Sequence, residues 1–313
     1  MKPATAIAGA AALASLGLPL VLPQYELRVL ILALISALAV IGLCIAFGWC
    51  GLIQLGQAAF VGVGAYSSAI LSREYGFGFA ASLLSAGAVT GLLAVLIGVP
   101  LLRLRGHYLA LATVGFNATA VIVISNAGDL TGGYDGYSGI PLAALFGIVF
   151  ESDTRFFYLA WVILAMVSLG VVSLRASRFG RALVAIRDDE LAAGTSGVPV
   201  VRMKVLAYGL CGVCGGLSGA LYGHYSHYIS PGDFDLVRSI TLLVMLIVGG
   251  ETSVLGAILG SILLSFLPEW LRFLGGGYLA VFGIGVLLVL VLMPTGIVGI
   301  VRRVLQRRGA AHG

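Results

Sequence analysis

VLILALISALAVIGLCIAF, residues 29–47, runs for nineteen positions without one charged side chain. Only Ser36 and Gly42 fall outside the apolar set. About 20 apolar residues in a helix cross the hydrocarbon layer of a bilayer, so this stretch has the length of one membrane passage. Working outward, apolar runs recur at about 55–71, 79–102, 107–126, 156–174, 205–228, 238–250, 253–267 and 276–293. One more precedes them, from the N-terminus to about Pro23. Met1-Lys2 followed by apolar residues is similar to a signal peptide. The run is long for that, however, and a second follows almost at once, so we read an uncleaved first helix. Ten segments with short connections predict an all-α polytopic membrane protein of about ten transmembrane helices, one domain over 1–313.

Composition points the same way. Of the 313 residues, 60% are hydrophobic and 10% charged, where an ordinary soluble domain carries about 25% charge. So few charges cannot cover a soluble globule, and disorder needs the opposite balance. Mean hydropathy is +1.09. Glycine, at 45 residues, is about twice as common as usual. Only 9 prolines accompany it, with no repeat period, which excludes collagen. In lipid, small residues let helix backbones approach closely, and Gly215, Gly219 and Gly223 share one helix face at spacing four.

The net charge of +5 serves topology rather than nucleic-acid binding. With the N-terminus inside and the spans alternating, Lys2, Arg103, Arg105, Arg175, Arg178, Arg181, Arg187, Arg202, Lys204, Arg302, Arg303, Arg307 and Arg308 fall inside. Arg28, Arg73, Arg155, Arg238 and Arg272 fall outside. Thirteen against five is the positive-inside pattern, and it predicts that both termini are cytoplasmic.

The longest inside connection, 175–204, is the most informative soluble segment. Arg187 is followed by Asp188, a suitable N-cap, and by Asp189 and Glu190, which suit the positive end of a helix dipole. Ala192 and Ala193 favour helix, and Gly194 can end it. A helix this short is marginal in water and needs something to pack on: its own bundle, a partner protein, or the membrane surface.

Two Gly-broken apolar stretches stand in corresponding halves. One contains Gln54, Gln57, Gly62 and Gly64; the other contains Gly249, Gly250 and Glu251. Such interruptions point to a transport pathway, and Asn117 in the 107–126 run joins that candidate set. Ordinary helix packing is the alternative, and for the glycines it is the favoured one.

Other constellations carry less. Cys211-Gly212-Val213-Cys214 has a redox or metal spacing, but it lies in an apolar run without a completing Cys or His pair. His224 and His227, at i and i+3 among Tyr222, Tyr225 and Tyr228, read as membrane-interface anchors. No P-loop motif occurs, so no ATP site of that kind is expected here. No catalytic constellation is present at membrane depth, and the chain is not expected to be an enzyme. Intramembrane charge is nearly confined to Glu251, which argues against a proton-driven pump.

Several stretches resemble the branched-chain amino acid ABC transporter permeases of the LivM type. They are Gly51–Tyr66 (GLIQLGQAAFVGVGAY), Arg103–Ala110 (RLRGHYLA), Thr131–Pro141 (TGGYDGYSGIP) and Ser177–Ala193, with Gly219–Tyr222, Ile229-Ser230-Pro231, Gly249-Gly250 and Pro294–Gly299. The similarity covers about 40–300, and many motifs in order are more specific than any one. The resemblance implies the ten-helix, type II-like importer bundle in a bacterial inner membrane. It implies a second, related permease subunit, two cytoplasmic ATPases that bind the ATP and Mg, a periplasmic substrate-binding protein, and surrounding lipid. Residues 187–190 and 192–194 would then form the coupling helix on an ATPase, and transport would run by alternating access. Departures from the family pattern fall at Gln57 (often His), at His107 (often acidic or small) and at Glu251-Thr252 (usually apolar then Gly). Permeases of the same fold move urea, amides, sugars or aromatic acids, which is the alternative reading of substrate. A stand-alone carrier or channel is the alternative in class.

Overall fold

The computed structural model describes residues 15–104, 106–145, 147–271, 283 and 296–299. The expected helix before residue 15, most of the 276–293 run and the basic tail lie outside the described residues.

The helices are α1 (Gln24–Leu43), α2 (Gln57–Arg73), α3 (Phe79–Leu101), α4 (His107–Asn126) and α5 (Asp153–Ala176). After them come α6 (Arg178–Asp188), α7 (Glu190–Thr195), α8 (Val200–Ser226), α9 (Leu236–Gly249) and α10 (Val254–Trp270). The run quoted first is the body of α1, which winds on into a π-helical turn, Cys44–Trp49. Among the described residues, five helices are long and apolar enough to cross a membrane: α1 with its π turn, α3, α4, α5 and α8.

The remaining runs are shorter. α2 has 17 residues, and α9 and α10 have 14 and 17. The sequence suggests that 238–250 and 253–267 are separate passages, but these two helices form a pair bent by 120° at a short break. Counted as one span, the pair raises the number among the described residues to six. The cause of the break is local: Gly250 adopts φ +122°, a conformation that side-chain-bearing residues rarely take. Gly249 and Gly256 then lie so close that a Cβ on either would run into the other's backbone.

α1 fills the centre, with 89% of its span buried, against 33% for α4 and for α5. It packs on α8, α10 and α5, while α8 packs on α3 and α2. α4 and α5 turn leucines, valines and Met166 outward, as helices bathed in lipid do. At the α2–α8 crossing, a Cβ on Gly64 would strike the backbone of Gly216, and one on Gly219 the carbonyl of Val61. Close small-residue packing of this kind is how helices associate where lipid removes the hydrophobic drive.

The connections gather at two ends. At one end, β1 (Tyr137–Ser138) pairs antiparallel with the later strand Tyr228–Ile229. Arg73 Nη1 donates to the Ser138 carbonyl at 2.7 Å, and Arg28 pairs with Asp153 at 2.9 Å. A small hairpin, β2 (Ala144–Leu145) with β3 (Ile148–Val149), lies in the same connection, which makes the later strand β4. At the other end, Gly48 and Trp49 meet Arg187, Glu251 and Thr252.

Candidate functional site

The soluble element at the second end is built from its caps inward. α5 stops at Ala176, and Ser177 caps α6 by accepting from the Gly180 amide at 3.4 Å. α6 buries Gly180, Leu183 and Ile186, half-buries Phe179, Val184 and Arg187, and exposes Arg178, Arg181, Ala185 and Asp188. Asp188, the expected cap of the next helix, is instead the last residue of α6. The chain extends at Asp189, whose Oδ1 accepts from the amides of Leu191 (2.9 Å) and Ala192 (3.0 Å). Asp189 is therefore the N-cap of α7, because φ leaves the helical region there rather than one residue earlier. Gly194 lies within α7, which ends at Thr195, and Gly197 takes the left-handed conformation (φ +85°).

Three contacts hold this element to the bundle. Glu190, in the first turn of α7, pairs at 2.7 Å with Lys204 of α8, itself only 8% exposed. Ala193 is buried. Arg187 donates to the Gly48 carbonyl and forms an ion pair with Glu251. Facing outward are Asp188, Leu191, Ala192 and Gly194. Leu191 is 73% exposed, an apolar side chain in solvent on a six-residue helix. Sequence reasoning missed Leu191 and Lys204. A leucine in a short helix reads as its packing residue, and only the buried Ala193 shows that the other face is the packed one. A cleft of about 220 Å³ adjoins the element, between Cys50–Ile53, Gly106 and Asp188–Glu190.

The candidate pathway residues fall into separate places. Gln54 and Gln57 are buried together, with Gln54 Nε2 donating to Gln57 Oε1 at 3.1 Å. Gln57 Nε2 donates to the carbonyls of Ala39 (3.0 Å) and Cys211 (3.3 Å). The Cys211 thiol donates to both glutamine oxygens, at 3.2 and 3.1 Å. These residues bind α1, the start of α2 and α8 together. Asn117 serves the next contact along: its Oδ1 accepts from the Ala59 amide (2.9 Å) and Ser239 (3.0 Å), and its Nδ2 donates to the Phe234 carbonyl (3.3 Å). Ser239 Oγ accepts from the Ala58 amide at 2.9 Å, and Thr113 Oγ1 from that of Leu55 at 3.0 Å. Gly56 precedes α2 and has no capping side chain, so residues of α4 and α9 supply the caps instead. Gly62 faces the Phe234 ring, and Gly64 faces Gly216. Gly249 and Gly250 belong to the α9–α10 break. Glu251, grouped by sequence with Gln57, is joined instead to Arg187 of α6.

Of the two paired histidines, His224 differs from expectation, whereas His227 is exposed. His224 is 2% exposed rather than an interface anchor. Its Nδ1 donates to the Pro141 carbonyl at 2.9 Å, leaving Nε2 to accept from Ser68 at 3.1 Å. His227 Nδ1 reaches the Ile140 carbonyl at 3.2 Å. Both rings thus fasten the 137–141 loop, which covers the end of α8. In that loop the Tyr137 phenol donates to Glu74 at 2.9 Å, and burial, then that bond, raise its pKa. Among the described residues, no group of three or more His, Cys, Asp or Glu side chains is placed to hold a metal ion.

Comparison with known proteins adds the family. The family model described as branched-chain amino acid transport system, permease component, matches residues 25–292. The high-affinity branched-chain amino acid transport system permease protein LivM of Salmonella typhimurium is 31% identical over 319 residues, covering 94% of this chain and 75% of that protein. The probable LivM of Methanocaldococcus jannaschii is 24% identical, over 68% of this chain and 65% of its own. The ribose import permease RbsC of Bacillus subtilis is 32% identical, but over only 36% of this chain and 37% of its own. No solved structure matches.

Proposed function

The chain belongs to the branched-chain amino acid transport permease family, and from that membership we propose that it is the membrane subunit of an ATP-driven importer for branched-chain and other hydrophobic amino acids. It is a multi-pass membrane protein whose relatives are transport permeases. In this reading it lies in a bacterial inner membrane with both termini cytoplasmic, as the excess of inside arginines favours. A second, related permease completes the pathway, a periplasmic binding protein delivers the substrate, and two cytoplasmic ATPases bind ATP and Mg.

The observation that carries the reading is α7. Its cap at Asp189, its ion pair to Lys204 and its buried Ala193 fix one face, while Leu191, Ala192 and Gly194 stand free on the other. Small side chains beside one exposed leucine make a low, apolar tip, suited to a groove on a partner protein. Closure of the ATPases around ATP would push this tip. The bundle would then open outward to receive substrate, and hydrolysis would return it. Gln54, Gln57, Gly62, Gly64, Asn117, Gly249 and Gly250 belong, in this account, to helix contacts that must shift during the cycle.

Reconstitution of the full complex with its binding protein in proteoliposomes tests the assignment. Leucine, isoleucine or valine should enter only when ATP is present. Uptake of a sugar or urea in their place would move the chain to a sister group of the same fold, and uptake without ATP would remove it from the class.

A further inference from the structure

Arg187, Glu251 and the end of α1 form a closed triangle of contacts between three elements. Arg187, in the last turn of α6, has two partners at once: the Gly48 carbonyl in the π turn of α1, and the Glu251 carboxylate in the α9–α10 turn. The third side is direct, since Trp49 Nε1 donates to the Thr252 carbonyl at 3.1 Å. Backbone contact closes it further, for a Cβ on Gly48 would collide with the Glu251 carbonyl. Arg175 at the end of α5 lies over the Trp49 ring, 5.5 Å from its centre.

Helix termini explain why charges belong here. The last carbonyls of a helix lack partners and carry its negative end, so a guanidinium there is favourable. Glu251 is set between the negative end of α9 and the positive start of α10, which Ser253 caps. Arg187 offsets the unfavourable part of that position. Both side chains are about one-third exposed, so the pair is held by geometry without being sealed in. α7 follows Arg187 after Asp188 and the capping Asp189, and one end of α7 therefore cannot move far without moving the guanidinium. α1, at the receiving end, is the buried centre of the bundle, and α9 and α10 pack on it.

We propose that Arg187 and Glu251 are positioning residues that act as a strap, carrying displacement of α7 into the end of α1 and the α9–α10 turn. The proposal rests on the importer reading above and names the route by which its push reaches the transport helices. Glu251 then belongs to energy coupling, and the solute has no need to meet it.

The test uses the full complex in proteoliposomes, with ATP hydrolysis and leucine uptake measured on the same preparation. E251Q and R187Q should each retain the ATPases and continue to hydrolyse ATP. Uptake per ATP should fall roughly fivefold or more, the low end of ordinary coupling between sites. The double variant should be no worse than the weaker single one, and E251D should recover part of the loss. An intact E251Q complex with an unchanged ratio overturns the strap. So does a loss of ATPases and thermal stability that accounts for the whole defect, because the pair would then be structural only. If R187Q does not assemble, E251Q decides alone, since it leaves the Gly48 bond of Arg187 in place. A wild-type complex without ATP-dependent uptake overturns the importer reading, and the strap with it.

Discussion

Gly64 and Gly170 are both glycines within apolar helices, yet they stand in opposite surroundings. A Cβ on Gly64 would press into the Gly216 backbone, whereas one on Gly170 would meet nothing within 4 Å. Gly64→Ala should therefore lower the melting temperature of the detergent-purified chain, the cost of overpacking being about 1–3 kcal/mol. Gly170→Ala should be neutral, or stabilising by up to ~1 kcal/mol through helix propensity. Equal melting curves for the two variants would contradict the packing account. The sequence makes the role of the glycines legible as a class but not one by one, because spacing cannot say which helix lies opposite. Gln57 shows the same limit. A polar residue among small apolar ones reads equally as a pathway or a packing residue, and only the carbonyls of Ala39 and Cys211 reveal that its amide ties α1 and α8 to α2. Glu251 was visible as an unusual charge, but its partner is 64 residues away in the chain, beyond any local pattern.

At the scale of elements, α7 depends on its cap. A helix of six residues has few internal bonds, and two of its first free amides are satisfied by Asp189 alone. Asp189→Ala removes that acceptor, at about 1 kcal/mol for a typical cap. Global stability should hardly change, since the bundle does not rest on α7. Protease sensitivity between 188 and 197 should rise, and uptake per ATP should fall. No change in either would show that packing at Ala193, rather than the cap, holds the element. Long elements were legible because an apolar run in lipid can only be helical, and α1, α3, α4, α5 and α8 follow the runs closely. The exact cap was not, because Asp188, Asp189 and Glu190 are chemically near-equivalent and the turn between α6 and α7 selects among them. The bend between α9 and α10 escaped for a related reason. Composition marks Gly249 and Gly250 as a break without showing how sharply the chain reverses.

The whole molecule is a bundle with two differently built ends. One end is closed by a loop stapled through His224, His227 and Arg73. The other carries α6 and α7, with the strap to Glu251 and the anchor to Lys204. That asymmetry is what a subunit needs if solute arrives at one side and the force for its passage comes from the other. In the proposed assembly nucleotide is bound by separate subunits, a role that a chain without a P-loop motif leaves to them. The class of the fold could thus be read from charge and hydropathy alone, and the family from motifs in order. The surface proposed to meet a partner is legible only from the burial of each residue of α7. Affinity purification of the tagged permease from membranes that also hold its sister subunit and ATPases tests the central claim most directly. The account predicts that the wild-type chain brings down both partners, whereas Leu191→Asp retains the sister permease and loses the ATPases. A Leu191→Asp chain that still carries the ATPases and imports with unchanged coupling would contradict it.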